Sequence, residues 1–316
     1  MSDGPLSIVF MGTPEFAVPS LEALVKSEER VALVVTQTDR PKGRGLKMAP
    51  PPVKERALQL GLEIVQPESV REEEFVQTLK DLNPDLLAVV AFGQILPREI
   101  LSIPRLGAVN VHPSRLPHLR GPAPIQWAII QGETVTAVTT MLMNQRMDAG
   151  DILLQEPVPI DPNDTAGSLH DKLAPIGGRL LVKTIAQMKA GVLKPTPQDD
   201  QKATYVRMIE KKDGHIRWSE PARAICNLVR GMDPWPAAYT TLDGKRLALF
   251  GCRADETPTG KTPGQFIGLD DRRLHVAAGE GSVFIREVQI QGRKRMDAAS
   301  FLNGAKLAPG IVFDSP

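Results

Sequence analysis

Asn110 and His112 are the first residues whose types and spacing could do chemistry, because they lie two apart in the apolar run 107–112. Strand alternation places both side chains on one face, with Val109 and Val111 on the other. An amide and an imidazole donate hydrogen bonds, and an imidazole also exchanges protons near neutral pH. Alternatively, His112 is a structural strand residue. Polar groups buried in an apolar sheet cost about 1–3 kcal/mol each unless they find partners.

Asp148 is a third candidate, in the segment Met147-Asp148-Ala149-Gly150. A carboxylate beside an imidazole can hold the ring, stabilise its charged form and accept a proton. The alternative is an ordinary turn, because Asp followed by Gly two residues later is common turn chemistry. Spacing alone leaves both interpretations open.

Strands and helices alternate through the first half of the chain. The predicted strands are residues 7–11, 31–35, 63–65, 85–92 and 107–112. This alternation predicts a mostly parallel sheet in a doubly wound, Rossmann-like α/β domain. Pro113 ends the last of these strands, so Asn110 and His112 lie at its carboxyl end, where open α/β sheets bind ligands.

The pattern changes after the long helix predicted over residues 165–188. The polar, proline-containing segment that follows is typical of a linker. Beyond it, short strands alternate with turns, which predicts a smaller, OB-like β-barrel domain. The predicted organisation is therefore a catalytic domain over 1–190, a linker over 191–204 and a β-barrel domain over 205–316.

Composition and charge exclude several classes of protein. The 316 residues carry a net charge of +1, which argues against a strongly cationic nucleic-acid binder. The sequence contains no stretch of about 18 consecutive apolar residues, so no membrane span is predicted. The first strand does not resemble a signal peptide, so a cytoplasmic location is expected. Cys226 and Cys252 form no local motif and are expected to be two small buried hydrophobes.

No phosphate-binding or metal-binding motif is found. The GxGxxG fingerprint is missing after the first strand. Gly260-Lys261-Thr262 resembles the end of a P-loop, but Asp255 stands where the leading glycine is needed. The histidines show neither HxxxH nor HExxH spacing, so no metal is expected.

Several short segments occur in an order and spacing typical of one family. They are Asn110-Val-His112-Pro-Ser114, Leu116-Pro117, Arg120-Gly121, Asp148-x-Gly150, Gly12-Thr13-Pro14-Glu15-Phe16-Ala17, Phe92-Gly93-Gln94-Ile95-Leu96-Pro97 and Asp233-Pro234-Trp235-Pro236. Over nearly its whole length the chain resembles the formyltetrahydrofolate-dependent formyltransferases, and among them those that act on methionyl initiator tRNA. The resemblance implies 10-formyltetrahydrofolate as donor, methionyl initiator tRNA as acceptor, and no metal. A monomer is expected.

The resemblance also implies roles for particular residues. Asn110, His112 and Asp148 correspond to the catalytic residues, which stabilise an oxyanion and move a proton without a nucleophilic side chain. The implied folate-binding residues are Gln94, Ile95, Leu96, Ser114, Arg115, Leu116 and Pro117. The sequence departs from the family pattern at Arg115, Ala137, Thr140, Leu142 and Asn144. These departures concern the lining of the folate pocket rather than the reaction.

A tRNA substrate requires positive charge for its phosphates. The segment 40–54 contains no acidic residue and is rich in Pro and Gly, which predicts a long functional loop. A solvated charged loop is the alternative. Residues 206–316 carry a net charge of +4, against −3 for residues 1–205. The candidate tRNA contacts are Arg40, Lys42, Arg44, Lys47, Lys54, Arg293, Lys294 and Arg295.

Two other functions stay open at this point. Another formyltetrahydrofolate enzyme would share the Asn, His and Asp residues, but a small acceptor would need neither the basic segment nor the second domain. A non-catalytic RNA-binding protein would not need the three polar residues together. It would also interleave aromatic with basic residues, and residues 40–54 contain no aromatic side chain.

Overall fold

The computed structural model of the chain describes residues 4–42, 47–305 and 307–314, so the candidate Arg44 lies outside the described residues. The chain forms two compact units, each discontinuous in sequence. The first unit comprises Met1–Gly121, Val135–Pro159 and His170–Val206. The second comprises Pro122–Thr134, Ile160–Leu169 and Arg207–Pro316.

The first unit is built on a mixed sheet and a separate hairpin. Its strands are β1 (Ser7–Gly12), β2 (Arg30–Val35), β3 (Arg40–Lys42), β4 (Lys47–Ala49), β5 (Ile64–Val65), β6 (Leu86–Val90), β7 (Ala108–His112), β8 (Val135–Leu142) and β9 (Ile152–Pro159). The sheet order is β5-β2-β1-β6-β7-β8-β9. Pairing is parallel from β5 to β7 and antiparallel for β8 and β9. The predicted doubly wound α/β architecture is confirmed.

Helices pack on both faces of this sheet. The helices up to residue 189 are α1 (Val18–Val25), α2 (Pro52–Gln59), α3 (Glu73–Leu82), α4 (Arg98–Leu101), α5 (Pro124–Ile130) and α6 (Ala166–Lys189). Phe75 and Leu79 of α3 share an apolar cluster with Val9 and Leu87 of the sheet. On α6, a Cβ at Gly177 would lie 3.0 Å from Val111, so a small residue allows this close packing.

None of the helices in the described residues is long and apolar enough to span a membrane.

Over the described residues, the second unit contains an antiparallel sheet, three α-helices of its own and a short 3-10 helix at Lys211–Gly214. The additional elements are α7 (Ala222–Gly231), β10 (Ala238–Leu242), β11 (Lys245–Asp255), β12 (Phe266–Asp270), β13 (Arg273–Ala277), β14 (Ser282–Ile290), β15 (Met296–Asp297) and α8 (Ala298–Gly304), with α5 as the third helix. The sheet order is β10-β11-β14-β13-β12, and β15 pairs with β14. Val312 and Asp314 bridge Gln265, next to β12, and Thr241 of β10. This late segment joins the two edges and gives the sheet a barrel-like closure.

The boundaries of the units differ from the predicted domain boundaries. Helix α5 belongs to the second unit, where the Trp127 indole donates to the Arg207 carbonyl over 2.8 Å. The segment 160–169 also belongs there, because Arg230 donates to the Asp164 carbonyl over 2.9 Å. Residues 191–204, predicted as a linker, are part of the first unit and bridge its sheet at Ile152.

The two cysteines are bonded to each other, which corrects the expectation of two independent small hydrophobes. Cys226 on α7 and Cys252 on β11 form a disulfide with a Cα–Cα distance of 5.1 Å. They are 26 residues apart in sequence, and only the packing of α7 on β11 brings them together. No local motif could have predicted that contact.

The core of the second unit predicts a contrast within one strand. Phe266 of β12 is 1% exposed, whereas Leu269 of the same strand is 47% exposed. Phe266→Ala is expected to lower the free energy of unfolding by about 3–5 kcal/mol, and Leu269→Ala by less than about 1 kcal/mol. Urea unfolding followed by tryptophan fluorescence measures this, since all three tryptophans lie in the second unit. Equal losses in the two variants would contradict this core assignment.

Candidate active site and RNA-binding residues

Strand β7 positions Asn110 and His112 as the alternation predicts. The strand lies between β6 and β8, with Asn110 opposite Met141 and His112 opposite Thr139. His112 is buried and Asn110 is half-buried. Within the described residues, the Asn110 amide has no side-chain hydrogen-bond partner. The Asn110 side-chain amide is therefore available to a ligand, two residues from the buried His112 ring.

The His112 ring is held between a backbone carbonyl and a carboxylate. Its Nε2 lies 3.0 Å from the Leu119 carbonyl oxygen. Because a carbonyl only accepts, Nε2 carries the hydrogen of this bond. The other ring nitrogen, Nδ1, lies 3.8 Å from Asp148 Oδ2. Asp148 Oδ2 also accepts a hydrogen bond of 2.8 Å from the Gly121 amide. The structure thus brings His112 and Asp148 together although 35 residues separate them.

Asp148 lies in a tightly constrained loop. Its φ of 49° is in the left-handed region. A Cβ at Gly150 would lie 1.6 Å from the Leu142 carbonyl oxygen, so only glycine fits there. Gln198 donates to the carbonyl oxygens of Asp148 and Gly150 over 2.9 and 2.7 Å. The Asp148-x-Gly150 pattern is therefore part of a specific loop that aims the carboxylate at His112.

The predicted folate residues at positions 94–96 differ in their environments. The Gln94 side chain accepts from the Val70 amide over 2.9 Å and donates to the Glu68 carbonyl over 3.3 Å. Leu96 is buried in the apolar cluster under the sheet. Ile95, by contrast, is 69% exposed. Of these three side chains, Ile95 is the most exposed, Gln94 is half-buried and already hydrogen-bonded, and Leu96 is buried.

The predicted folate residues at positions 114–117 form a compact turn beside His112. Ser114 is buried, and its hydroxyl donates to the His118 carbonyl over 2.6 Å. Leu116 is also buried, whereas the Arg115 side chain is exposed. Pro117 is half-buried and follows a cis peptide bond. Arg115 is the side chain of this group that most readily reaches a ligand.

Two of the departures from the family pattern lie inside the sheet. Ala137 and Thr140 of β8 are both buried. The Thr140 hydroxyl lies 2.8 Å from the Thr184 hydroxyl of α6, so a hydrogen-bonded pair occupies this position. Leu142 is half-buried, and Asn144 accepts from the Arg146 amide over 2.8 Å. Thr140 is therefore a packing residue with its hydrogen bonds satisfied.

The basic segment after β2 is a hairpin rather than the predicted irregular loop. Strands β3 and β4 pair antiparallel, with Arg40 opposite Ala49 and Lys42 opposite Lys47. Lys47 is exposed, and Arg40 donates to Gln37 over 3.2 Å. The sequence of this segment shows no strand pattern, because its Pro and Gly residues are unfavourable inside strands.

Lys54 of the same segment is already paired. Its ammonium lies 2.7 Å from Asp39, and this contact, together with Gln66, holds the pKa of the Asp39 carboxyl below its usual range. The absence of acidic residues within 40–54 concealed the carboxylate that immediately precedes them. Arg40 and Lys47 are therefore better placed than Lys54 to meet an external phosphate.

The cluster at 293–295 is likewise divided. Arg293 and Lys294 are exposed. Arg295 donates through Nε to Glu287 over 2.8 Å, pairs with Asp233 at 3.4 Å and stacks on Phe250. Burial raises the pKa of the Asp233 carboxyl, which Arg295 partly opposes. Arg295 is thus held inside the second unit.

Arg295 lines a cleft of about 810 Å³ that sequence reasoning missed. The other arginines of the cleft are Arg223, Arg230, Arg253, Arg273 and Arg286. In the part of the chain that the structure describes, Arg223, Arg253 and Arg273 have no carboxylate partner. They come from α7, β11 and β13, so no run of charge marks them in the sequence. The cleft is also lined by Glu133, Asp161, Asp233 and Glu256, so its six arginines are only partly balanced by four carboxylates.

Comparison with known proteins assigns the chain to a class. The family model described as formyl transferase matches residues 6–185, and that of the formyl transferase C-terminal domain matches residues 208–306. The chain belongs to the formyl transferase family.

Curated relatives narrow the class further. The methionyl-tRNA formyltransferase of Syntrophus aciditrophicus is 47% identical over 97% of this chain and 98% of its own length. That of Geobacter metallireducens is 48% identical, with the same coverage. That of Pelobacter propionicus is 49% identical over 97% of this chain and 95% of its own length.

Solved structures share the fold at lower sequence identity. WlaRD, a sugar 3N-formyl transferase solved with dTDP and 5-N-formyl-THF, is 19% identical with a TM-score of 0.66, covering 92% of this chain and 99% of its own. HypX of Aquifex aeolicus, in complex with tetrahydrofolic acid, is 20% identical with a TM-score of 0.62. That match covers 95% of this chain and 47% of HypX.

The loop that carries Asp148 predicts a strict requirement for glycine. Gly150→Ala would force the Leu142 backbone to move and is expected to lower the free energy of unfolding by about 1–3 kcal/mol. Gly304→Ala is the control, because no atom lies within 4 Å of the added Cβ. Urea unfolding followed by circular dichroism compares the two variants. A Gly150→Ala variant as stable as the control would contradict the described loop.

Proposed function

We propose that the chain transfers the formyl group of 10-formyltetrahydrofolate to the α-amino group of methionyl initiator tRNA. The observation that carries this proposal is the buried His112–Asp148 pair beside a free Asn110 amide, at the carboxyl end of a parallel strand. Membership of the formyl transferase family supports the reaction type. Relatives named for methionyl-tRNA, at 47–49% identity over at least 95% of both chains, support the acceptor.

The residues after β6 suit the ring system of the proposed folate donor. Ile95 exposes an apolar surface three residues after the buried Phe92, and Gly93 between them adopts a φ of 92° that turns the backbone. The Thr13 hydroxyl donates to the Phe92 carbonyl over 2.8 Å and fixes the start of this loop. When bound, the reduced folate supplies the one-carbon unit as a formyl group on N10. We propose that Ile95 and the backbone of 94–96 hold its ring, with Arg115 near its charged tail.

Asn110 and His112 stabilise the charge that develops during the transfer, and Asp148 moves the proton. As the amine attacks, negative charge develops on the formyl oxygen, and the free Asn110 amide can donate to it. The attacking amine loses a proton as its bond to the formyl carbon forms. The same proton, passed on by Asp148 and a water molecule, goes to N10 of the folate as the bond between N10 and that carbon breaks. Asp148, as a carboxylate, stabilises a charged His112 ring at 3.8 Å and accepts the amine proton through a water molecule.

The acceptor is large, and the basic residues supply its phosphate contacts. We propose that Arg40, Lys42 and Lys47 of the hairpin contact the tRNA together with Arg44, which lies outside the described residues, and that Lys54 supports them through Asp39. In the second unit, Arg293, Lys294 and the unpaired arginines of the cleft form a further contact, while Arg295 orders that region. Phosphate contacts of this kind weaken as the salt concentration rises.

The catalytic assignment predicts large losses of rate from single substitutions. Asn110→Ala and His112→Ala are each expected to lower kcat for formyl transfer to methionyl initiator tRNA by about 10²–10³-fold. The control is His170→Ala, which removes a half-buried histidine that also pairs with an aspartate, Asp171, at 2.9 Å. Counting formylmethionine released from the tRNA measures the rate. Wild-type activity in His112→Ala would sink the assignment, as would an inactive wild type.

The RNA contacts predict a salt-dependent change in KM. The triple variant Arg223→Ala, Arg253→Ala, Arg273→Ala should raise the KM for tRNA and flatten its dependence on salt, because fewer counterions are released on binding. The KM for the folate donor should not change. A Lys183→Ala variant on α6 controls for loss of surface charge. Unchanged tRNA kinetics in the triple variant would remove the cleft from the RNA-binding surface.

A further inference from the structure

We infer that Arg120 is a positioning residue of this active site, which rests on the proposed function for its kinetic consequences. The Arg120 side chain is 0% exposed. It reaches neither His112 nor Asp148, but the backbone on either side of it bonds to both. Arg120 therefore acts on the catalytic pair through the segment in which it lies.

The segment 119–121 clamps the catalytic pair from both ends. The Leu119 carbonyl accepts from His112 Nε2 over 3.0 Å, and the Gly121 amide donates to Asp148 Oδ2 over 2.8 Å. Two residues apart in the chain, these groups set the separation of the ring and the carboxylate. A shift of this segment would change both bonds together.

The Arg120 guanidinium anchors that segment to residues 198–205. Nε and Nη2 donate to Gln198 Oε1 over 3.0 and 2.9 Å, Nη2 also donates to Asp200 over 2.9 Å, and Nη1 donates to the Tyr205 hydroxyl over 2.9 Å. These donors satisfy a charge that would be costly to bury alone. The planar fork of Arg matches several acceptors at once, which a Lys ammonium cannot reproduce.

Gln198 extends the anchor to the Asp148 loop. Its Oε1 accepts from Arg120, and its Nε2 donates to the Asp148 and Gly150 carbonyls. The carboxylate is thus fixed on one side by the Gly121 amide and on the other by a side chain that Arg120 orients. The buried Arg120 guanidinium therefore holds both groups that fix Asp148, namely the Gly121 amide and the Gln198 side chain.

Backbone pairing completes the anchor. The Arg120 amide donates to the Thr204 carbonyl over 2.9 Å, and the Val206 amide donates to the Arg120 carbonyl over 2.8 Å. A Cβ at Gly121 would lie 2.4 Å from the Val206 carbonyl oxygen, which explains the glycine that follows Arg120. The segment predicted as a linker is therefore the outer wall of the catalytic clamp.

Arg146 provides a matched control for loss of charge. It pairs with the same Asp200 at 2.7 Å, but its side chain is 60% exposed. Its hydrogen bond and that of Arg120 hold the pKa of the Asp200 carboxyl below its usual range. Removing Arg146 leaves the bonds of Arg120 to Gln198 and Tyr205 in place.

The experiment compares Arg120→Lys, Arg120→Ala and Arg146→Ala with the wild type by steady-state kinetics and by NMR of the His112 ring. Both Arg120 variants should lower kcat by about 100-fold, because a displacement of about 1 Å costs that much. KM for folate and tRNA should change less than about threefold, because Arg120 touches neither. The hydrogen-bonded Nε2–H signal of His112 should shift or broaden. Arg146→Ala should keep kcat within about twofold of the wild type.

Three outcomes would overturn the inference. They are a folded Arg120→Lys variant with wild-type kcat, a raised KM at unchanged kcat, or an unperturbed His112 signal in both variants. Instability of Arg120→Ala alone does not decide the matter, since Arg120→Lys keeps the charge. If the wild type transfers no formyl group, the proposed function fails, and the His112 signal still tests the positioning role by itself.

Discussion

The structure of the site depends on one constraint, that a histidine buried in an apolar sheet must find a hydrogen-bond partner. His112 is buried at the end of a strand that lies between the aliphatic β6 and Thr139 of β8, and leaving its ring unsatisfied there would cost about 1–3 kcal/mol. Its partner is the Leu119 carbonyl, supplied by a turn that begins immediately after the strand. Once that carbonyl binds Nε2, Nδ1 faces Asp148. The turn and the Asp148 loop each contact this ring, and the buried Arg120 holds the turn in place.

Residues with a local pattern could be predicted from the sequence. Period-two alternation placed Asn110 and His112 on one face of β7, and the βαβ rhythm predicted the parallel sheet. Long-range contacts could not be predicted in this way. The pairing of Cys226 with Cys252 depends on α7 packing against β11, and the role of Gln198 depends on residues 191–204 folding back onto the sheet. The polar, proline-containing composition of that segment is typical of a linker, and composition alone does not show which residues the segment contacts.

The basic residues show the same difference between local patterns, which the sequence reveals, and long-range contacts, which it does not. A run of basic residues is visible in a sequence, but its availability depends on partners from elsewhere. Lys54 is occupied by Asp39 and Arg295 by Glu287, whereas Arg223, Arg253 and Arg273 are dispersed in sequence and converge only in the folded second unit. A net charge of +1 therefore does not exclude local groups of basic residues such as these. Such an arrangement favours one structured RNA over indiscriminate binding.

In the proposed transfer, Asp148 moves the amine proton while His112 and Asn110 stabilise the developing charge. The decisive experiment is single-turnover transfer of a ¹³C-labelled formyl group to methionyl initiator tRNA, with wild type and Asp148→Asn compared at matched tRNA occupancy. Label is expected on the methionine α-nitrogen, and the rate is expected to fall by about 10²–10³-fold in Asp148→Asn while the Kd for tRNA is unchanged. Label released as free formate, or a wild-type rate in Asp148→Asn, would contradict the proposed transfer.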